Sequence, residues 1–325
     1  MKTLIIILGL IVVVATILAL LMKMPGRSFR GSAPPLDAAQ LARRDALHRD
    51  LTHIAGTIGE RNVIVAKRYE EAAAFIEESL REAGFATTRQ TFMVEGVACA
   101  NIEAELRGTG DGIVIIGAHY DTVDGSPGAD DNGSGVAALL TLARTFAREK
   151  ARRTIRFIAF ANEEPPYFQS DQMGSYVYAR RCHDREEKVV AMINLESLGF
   201  YHDEPGSQQY PAMLEHVYPS TANFIAFASN LGSRALLRDC VRVFRAHATI
   251  PSEGGALPES VPGIAWSDQW SFWRFGYRAV MVTDTAPYRN PHYHTEHDLP
   301  ENIDYERLAR VVDGLQYVVA ALAGR

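Results

Sequence analysis

The first apolar stretch, Leu4 to Met22, differs from every other in the chain. It runs nineteen residues without a charge and is bounded by Lys2 and Lys23. At about 1.5 Å per residue, a helix of that length just crosses a hydrocarbon core of about 30 Å. The pattern predicts a membrane-spanning N-terminal segment over residues 1–24. Its apolar core is long for a signal peptide and no A-x-A-like cleavage site comes after it, so an uncleaved anchor is expected. Residues 25–36, rich in Pro, Gly and Ser and without periodicity, are expected to form a tether. Helical spacing begins after it. Leu36, Leu41, Leu47, Leu51 and Ile54 recur near a 3.6 period, with Asp37 placed as the N-cap. Residues 67–85 form a second helical pattern that ends at Gly84.

Strand-like segments then alternate with helical ones. The strands are expected at 86–94, 99–106, 112–119, 154–162, 188–196, 223–230 and 277–284. Several lack polar–apolar alternation, which marks strands buried on both faces. Helical patterns lie at 135–149, 233–247 and 305–324. No internal repeat and no second boundary appear. The expectation is an α/β fold with a mixed, largely parallel central sheet flanked by helices. It occupies one catalytic domain over 37–325, carried by one transmembrane helix.

Composition narrows the chemistry. Apolar content of 47% and charged content of 22% are ordinary for a globular chain. A net charge of −6 without a long basic tract excludes a nucleic-acid partner. Cys99, Cys182 and Cys240 are odd in number and far apart, neither a disulfide framework nor a CxxC knuckle. Any metal is therefore held by His and carboxylates. Lys23, Arg27 and Arg30 outnumber Lys2, which by positive-inside counting keeps the body cytoplasmic. Short N-terminal anchors commonly export the domain attached to them, and a periplasmic or extracellular catalytic domain is the expectation.

Candidate ligands gather where the strands end. GAHYD closes the third strand with His119 and Asp121, which two residues apart on extended chain face the same way. A carboxylate there can orient a metal-bound imidazole. GADDNGSG comes next and opens a helix, its glycines permitting a tight backbone that aims an Asp inward. ANEE brings Glu163 and Glu164, which as neighbours face different ways, and INLES brings Glu196. NPHYHTEHD supplies His292, His294 and His297 before the last helix. Alone, each is a polar turn, a solvated pair or an exposed loop. Together they sit at the strand ends where open α/β sheets bind ligands. Histidines and carboxylates without Cys suit zinc or a similar divalent ion.

On GAHYDTV, GADDNGSG, ANEE, INLES and NPHYHTEHDLPENIDYERLA, in that order, the chain resembles metallopeptidase family twenty-eight. These co-catalytic di-zinc exopeptidases include secreted bacterial aminopeptidases, glutamate carboxypeptidases and glutaminyl cyclases. The resemblance covers roughly residues 45–322. It implies two zinc ions. His119 and Glu196 hold the first, Glu164 and His294 the second, and Asp131 bridges both. Asp121 orients His119, Glu163 is the general base that activates a metal-bound water, and Tyr293 hydrogen-bonds the oxyanion. It also implies a cis peptide after Asp131. The expected activity is removal of N-terminal residues from peptides.

Two positions depart from the family pattern. Glu196 stands where the better-known secreted aminopeptidases carry Asp, and Gln269 where many bacterial relatives carry His. The second lies toward the substrate side and bears on specificity. Glutaminyl cyclisation is the competing reaction, but cyclases of this lineage usually lack the ligand at His119. Carboxypeptidase or dipeptidase action shares the same ligands and needs a cation for the substrate carboxylate, with Arg180, Arg181 and Arg289 as candidates. Tyr167, Phe168, Phe200, Tyr201, Trp266 and Trp270 lie near the motifs, as pocket wall or as core.

Overall fold

The computed structural model describes Gly9, residues 22–211 and residues 214–325. Apart from Gly9 and Met22, the apolar run Leu4–Met22 lies outside the described residues. No helix among those described is long and apolar enough to cross a membrane.

Helix α1 (Ala38–Leu51) starts at Asp37, whose side chain accepts the Gln40 N–H while the Gln40 side chain accepts the Asp37 N–H, a capping box. Helix α2 (Ala66–Glu82) ends at Gly84, where φ is +102°. Eight strands come next: β1 (Thr87–Val94), β2 (Val97–Leu106), β3 (Ile113–His119), β4 (Thr154–Phe160), β5 (Val189–Glu196), β6 (Ile225–Ser229), β7 (Ser252–Ala256) and β8 (Ala279–Thr283). Between and after them lie α3 (Gly135–Phe146), α4 (Gly174–Asp184), α5 (Arg234–His247), α6 (Gln269–Arg274) and α7 (Tyr305–Ala323). The strands form one sheet in the order β1-β2-β4-β3-β5-β8-β6-β7. Its centre, β4-β3-β5-β8, is parallel, as is β6-β7, while β1-β2, β2-β4 and β6-β8 are antiparallel.

Both faces of the sheet are covered. Along β3, Val114, Ile116 and Ala118 join the larger core with α1, α2, α3, α5 and α7. Ile115 points the other way, to Phe160, Met192, Tyr178 of α4 and Phe272 of α6. Two-sided burial explains why these strands lack alternation.

Three elements escape the periodic reading. Strand β7 reads SEGGA, with no β-branched or aromatic residue, and helices α4 and α6 are short and polar or aromatic. Residues 25–34 of the expected tether, with Lys23 and Met24 before them, are fastened to α5, β7 and α7. Arg238 donates to the Lys23 carbonyl, Arg245 to those of Pro25 and Gly26, and Arg310 to that of Pro34. The Ser252 N–H donates to Ser28 Oγ at 2.8 Å, and Met24 is buried against Gly254 and Val241. A side chain at Gly254 would meet Met24 at 2.9 Å, so the glycine is what admits it.

Candidate active site

Parallel strands β3, β4 and β5 end side by side, and their C-terminal ends deliver the polar cluster. His119 is the last residue of β3 and Glu196 the last of β5, while Glu163 and Glu164 come just after β4. Residues 129–134 carry Asp131 in before α3 begins. Gly128 turns the chain at φ +59°, and Gly135 lets the start of α3 approach the Leu195 carbonyl, where a Cβ would stand 2.6 Å away. The Asp131–Asn132 peptide is cis. Asn132 binds this loop to β5: its Oδ1 accepts the Gly135 and Ser197 N–H groups, and its Nδ2 donates to the Leu195 carbonyl.

The two oxygens of Asp131 face two different histidines. Oδ1 lies 3.3 Å from His119 Nε2, and Oδ2 lies 3.1 Å from His294 Nε2. On the first side, Glu196 Oε2 is 3.3 Å from His119 Nε2; on the second, Glu164 Oε2 is 3.3 Å from His294 Nε2. Ligand atoms within each of the trios His119–Asp131–Glu196 and Asp131–Glu164–His294 lie within 4.8 Å of one another. Those of His119, Glu163 and Glu164 also do. Glu163 Oε2 stands 3.9 Å from His119 Nε2. Asp121 Oδ1 lies 3.5 Å from His119 Nδ1, and its two oxygens accept the Glu163 and Glu164 N–H groups at 3.0 Å each. The Tyr293 ring stacks on that of His294 at 3.8 Å. His292 and His297 do not join the cluster. His292 packs edge-on to Phe200, and His297 is exposed.

Buried polar atoms within the cluster favour a cation there. Asp131 Oδ1, Glu164 Oε1 and His294 Nε2 are buried and make no hydrogen bond among the described residues. Such groups are costly unless something meets them. Burial raises Glu164 to about 7, aided by the Asp131 charge and opposed by His294. Burial pushes Glu163 well above the usual carboxylate range, with Glu164 and Glu196 adding to the shift. Burial works against the charged form of His119 and His294, yet the surrounding carboxylates carry His119 well above its ordinary value and His294 to about 10. Imidazole and carboxylate donors without sulfur are the set that suits zinc.

Several supporting residues carry no signal in the sequence. Asp298 accepts the Asp130 and Asp131 N–H groups. Arg61, fully buried, donates to the carbonyls of Gly59, Tyr120, Pro127 and Gly128 and so shapes the loop after β3. Ser267 donates to Glu196 Oε2 at 2.5 Å and accepts from Asn194 Nδ2. Gln269 corrects the reading that placed it toward substrate. It is wholly buried, accepting from Asn194 and donating to the Ile264 carbonyl, and it is not among the residues that line the cleft.

That cleft opens beside Glu196 and Tyr293. Its floor is a set of in-register positions: Glu196 on β5 pairs with Thr283 on β8, which pairs with Ala226 on β6, which pairs with Glu253 on β7. A second row carries Met281, Ala228 and Gly255. Tyr210, Leu214 and Tyr218 also line it, with Trp266, 46% exposed, as its outermost aromatic. Of Tyr167, Phe168, Phe200, Tyr201, Trp266 and Trp270, Trp266 alone is among the described residues that line this cleft; the strands and residues 210, 211, 214 and 218 supply much of the rest.

Residues 101–319 match Peptidase family M28. The chain is 34% identical to the uncharacterized protein YfbL of Escherichia coli (strain K12), over 84% of this chain and 87% of that one. It is 29% identical to a "Probable leucine aminopeptidase" of Arthroderma otae over 66% of this chain, spanning 55% of that protein's length. The fold is shared with BSAP, a zinc aminopeptidase from Bacillus subtilis, at TM-score 0.70 and 16% identity, over 87% of this chain and 95% of that one. It is shared too with Fimbriiglobus ruber glutaminyl cyclase, at TM-score 0.63 and 16% identity, over 92% and 99%. With the sequence match spanning the strand ends that carry the His and carboxylate cluster, the chain belongs to peptidase family M28.

Proposed function

We propose that this protein is a di-zinc aminopeptidase. The observation that supports it best is the pair of half-sites built on the two oxygens of Asp131, with Glu163 facing the same space without being needed by either. In this reading His119 and Glu196 hold one ion, Glu164 and His294 the other, and Asp131 both. Bound zinc supplies the electrophile that acidifies water and polarises the scissile carbonyl. Glu163, desolvated and raised, accepts the water's proton and returns it to the leaving amine. Asp121 fixes the His119 ring and, through the Glu163 and Glu164 N–H groups, the position of the base. Tyr293, at the cleft wall, donates to the developing oxyanion.

Polarity is argued from charge in the cleft. No Lys or Arg is among the described residues that line it, whereas a carboxypeptidase needs a cation there. The arginines considered from the sequence lie elsewhere. Arg180 is exposed on α4, Arg181 pairs with Glu103, and Arg289 is buried against Phe224, its Nε donating to Gln208 and its Nη1 to the Phe200 and Phe224 carbonyls. We also read Leu4–Met22 as a membrane anchor, from its length and lack of charge, and place the catalytic domain outside the cytoplasm.

The test is incubation of the zinc-loaded full chain with a mixed peptide library, read by mass spectrometry with and without a chelator. Chelator-sensitive loss of single N-terminal residues is expected. Shortening from the C-terminus, or pyroglutamate formation without cleavage, overturns the assignment.

A further inference from the structure

We propose that Glu253 makes the far end of the cleft a receptor for a basic side chain, so that the enzyme removes N-terminal arginine and lysine. The proposal rests on the aminopeptidase reading and adds the substrate class to it. Glu196 and Glu253 occupy the two ends of one in-register row across β5, β8, β6 and β7. Strand spacing of about 4.8 Å separates them by roughly 14 Å. The stretch between Thr283 and Glu253 covers two spacings, about 10 Å. An extended Lys or Arg side chain reaches roughly 6–7 Å from its Cα, and one hydrogen bond of about 3 Å completes the distance.

The wall between the two carboxylates suits the stem of such a side chain. Ala226, Ala228 and Gly255 leave the floor low, and Leu214, Leu257 and Tyr218 enclose it with apolar surface, on which the methylenes of Lys and Arg pack well. Leucine fills only the near part of this length and leaves Glu253 unanswered.

Glu253 itself lacks a close partner. Among the described residues none hydrogen-bonds its carboxylate. Arg245 Nη2 comes no nearer than 3.7 Å, its donors being directed to Ser252 and to the carbonyls of Pro25 and Gly26. Burial raises Glu253 despite Arg245 and the more distant Arg30, so the acid is incompletely compensated by its own chain. Its side chain remains 26% exposed, reachable through the cleft.

The test compares aminoacyl-coumarin substrates of Arg, Lys, Leu and Met with the zinc-loaded full chain, as wild type, Glu253→Gln and Glu253→Asp. Arg and Lys are expected to be turned over at least as well as Leu. In Glu253→Gln the Arg-over-Leu ratio of kcat/KM falls by about 10–100-fold, the loss of one charge-assisted bond, chiefly through KM. Glu253→Asp restores part of it. A second readout uses no turnover: argininamide binds the metal-free wild type more tightly than leucinamide, monitored by tryptophan fluorescence, and Glu253→Gln removes the difference. Leu turnover with negligible Arg and Lys turnover overturns the proposal while leaving the aminopeptidase reading intact. So does an equal loss for all four substrates, which marks Glu253 as a wall residue. If no N-terminal residue is released from any substrate, both readings fall.

Discussion

Asp298 grips Asp131 from behind: its Oδ2 accepts the Asp131 N–H at 3.0 Å, and its Oδ1 the neighbouring Asp130 N–H at the same distance. The Asp298 carbonyl also accepts the Ala129 N–H. The loop before α7 thus sets where the shared carboxylate stands between the two histidines. Removing such outer support commonly costs about 10–100-fold in metal affinity. Asp298→Ala is expected to lose zinc affinity in that range, read by competition with a chromogenic chelator. Unchanged affinity would show that the loop holds Asp131 without it.

Asp131→Ala removes the carboxylate that faces both histidines, and metal content is expected to fall from two ions to fewer than one. Asp130 is no substitute, because its oxygens are engaged by the Gly199 N–H and by Asn290 Nδ2. Elemental analysis that finds two ions in Asp131→Ala would shift the bridging role to another residue.

Glu163→Gln leaves both half-sites intact while removing the base. Two ions should remain, with turnover lowered by about 10²–10⁴-fold. Near-normal kcat in a metal-replete sample would contradict the assignment of the proton acceptor.

Glu164 is raised by burial to about 7 from 4.5, and His294 lies at about 10, held up by Asp131 and Glu164 although burial lowers it. Both groups hold protons more tightly in the folded state than unfolded. The metal-free protein therefore loses stability as pH rises, from Glu164 between about 4.5 and 7 and from His294 between about 6.5 and 10. Zinc takes the place of those protons. The rise in Tm on adding zinc is accordingly expected to be larger at pH 8 than at pH 6, by differential scanning calorimetry. An equal or smaller rise at pH 8 would contradict it.

Arg61 answers four backbone carbonyls at once, and Arg61→Ala leaves those of Gly59, Tyr120 and Pro127 without that donor while the Gly128 carbonyl keeps the Gly133 N–H. At about 1–3 kcal/mol for each orphaned group, a loss of at least about 3 kcal/mol is expected in urea unfolding. A loss below about 1 kcal/mol would mean that the loop relaxes to water.

The site was legible where its chemistry is local in sequence. His119, Glu163, Glu164 and Glu196 stand at the ends of strands whose apolar runs are unmistakable, and glycines frame Asp131. The illegible part depends on partners far along the chain. Asp298 and Ser267 act on residues 167 and 71 positions away, and Arg61 acts through backbone carbonyls; a lone Asp, Ser or Arg carries no mark of that. Strand β7 escaped because its small residues serve the cleft floor and admit Met24, leaving none of the bulk by which strands are recognised. Gln269 turns inward because its side chain bonds Asn194 and the Ile264 carbonyl, and a family pattern that gives the position toward substrate says nothing of which way this side chain points.

The fastening of residues 23–34 makes this stretch part of the catalytic body. Lys23 is tied to α5 through its carbonyl, and Met24 after it is buried against Val241 of the same helix. Three arginines, Arg238, Arg245 and Arg310, hold the carbonyls of the stretch. Trimming the chain to residue 31 would therefore strip Met24 and Ser28 from the edge strand that carries Glu253 and Gly255 into the cleft.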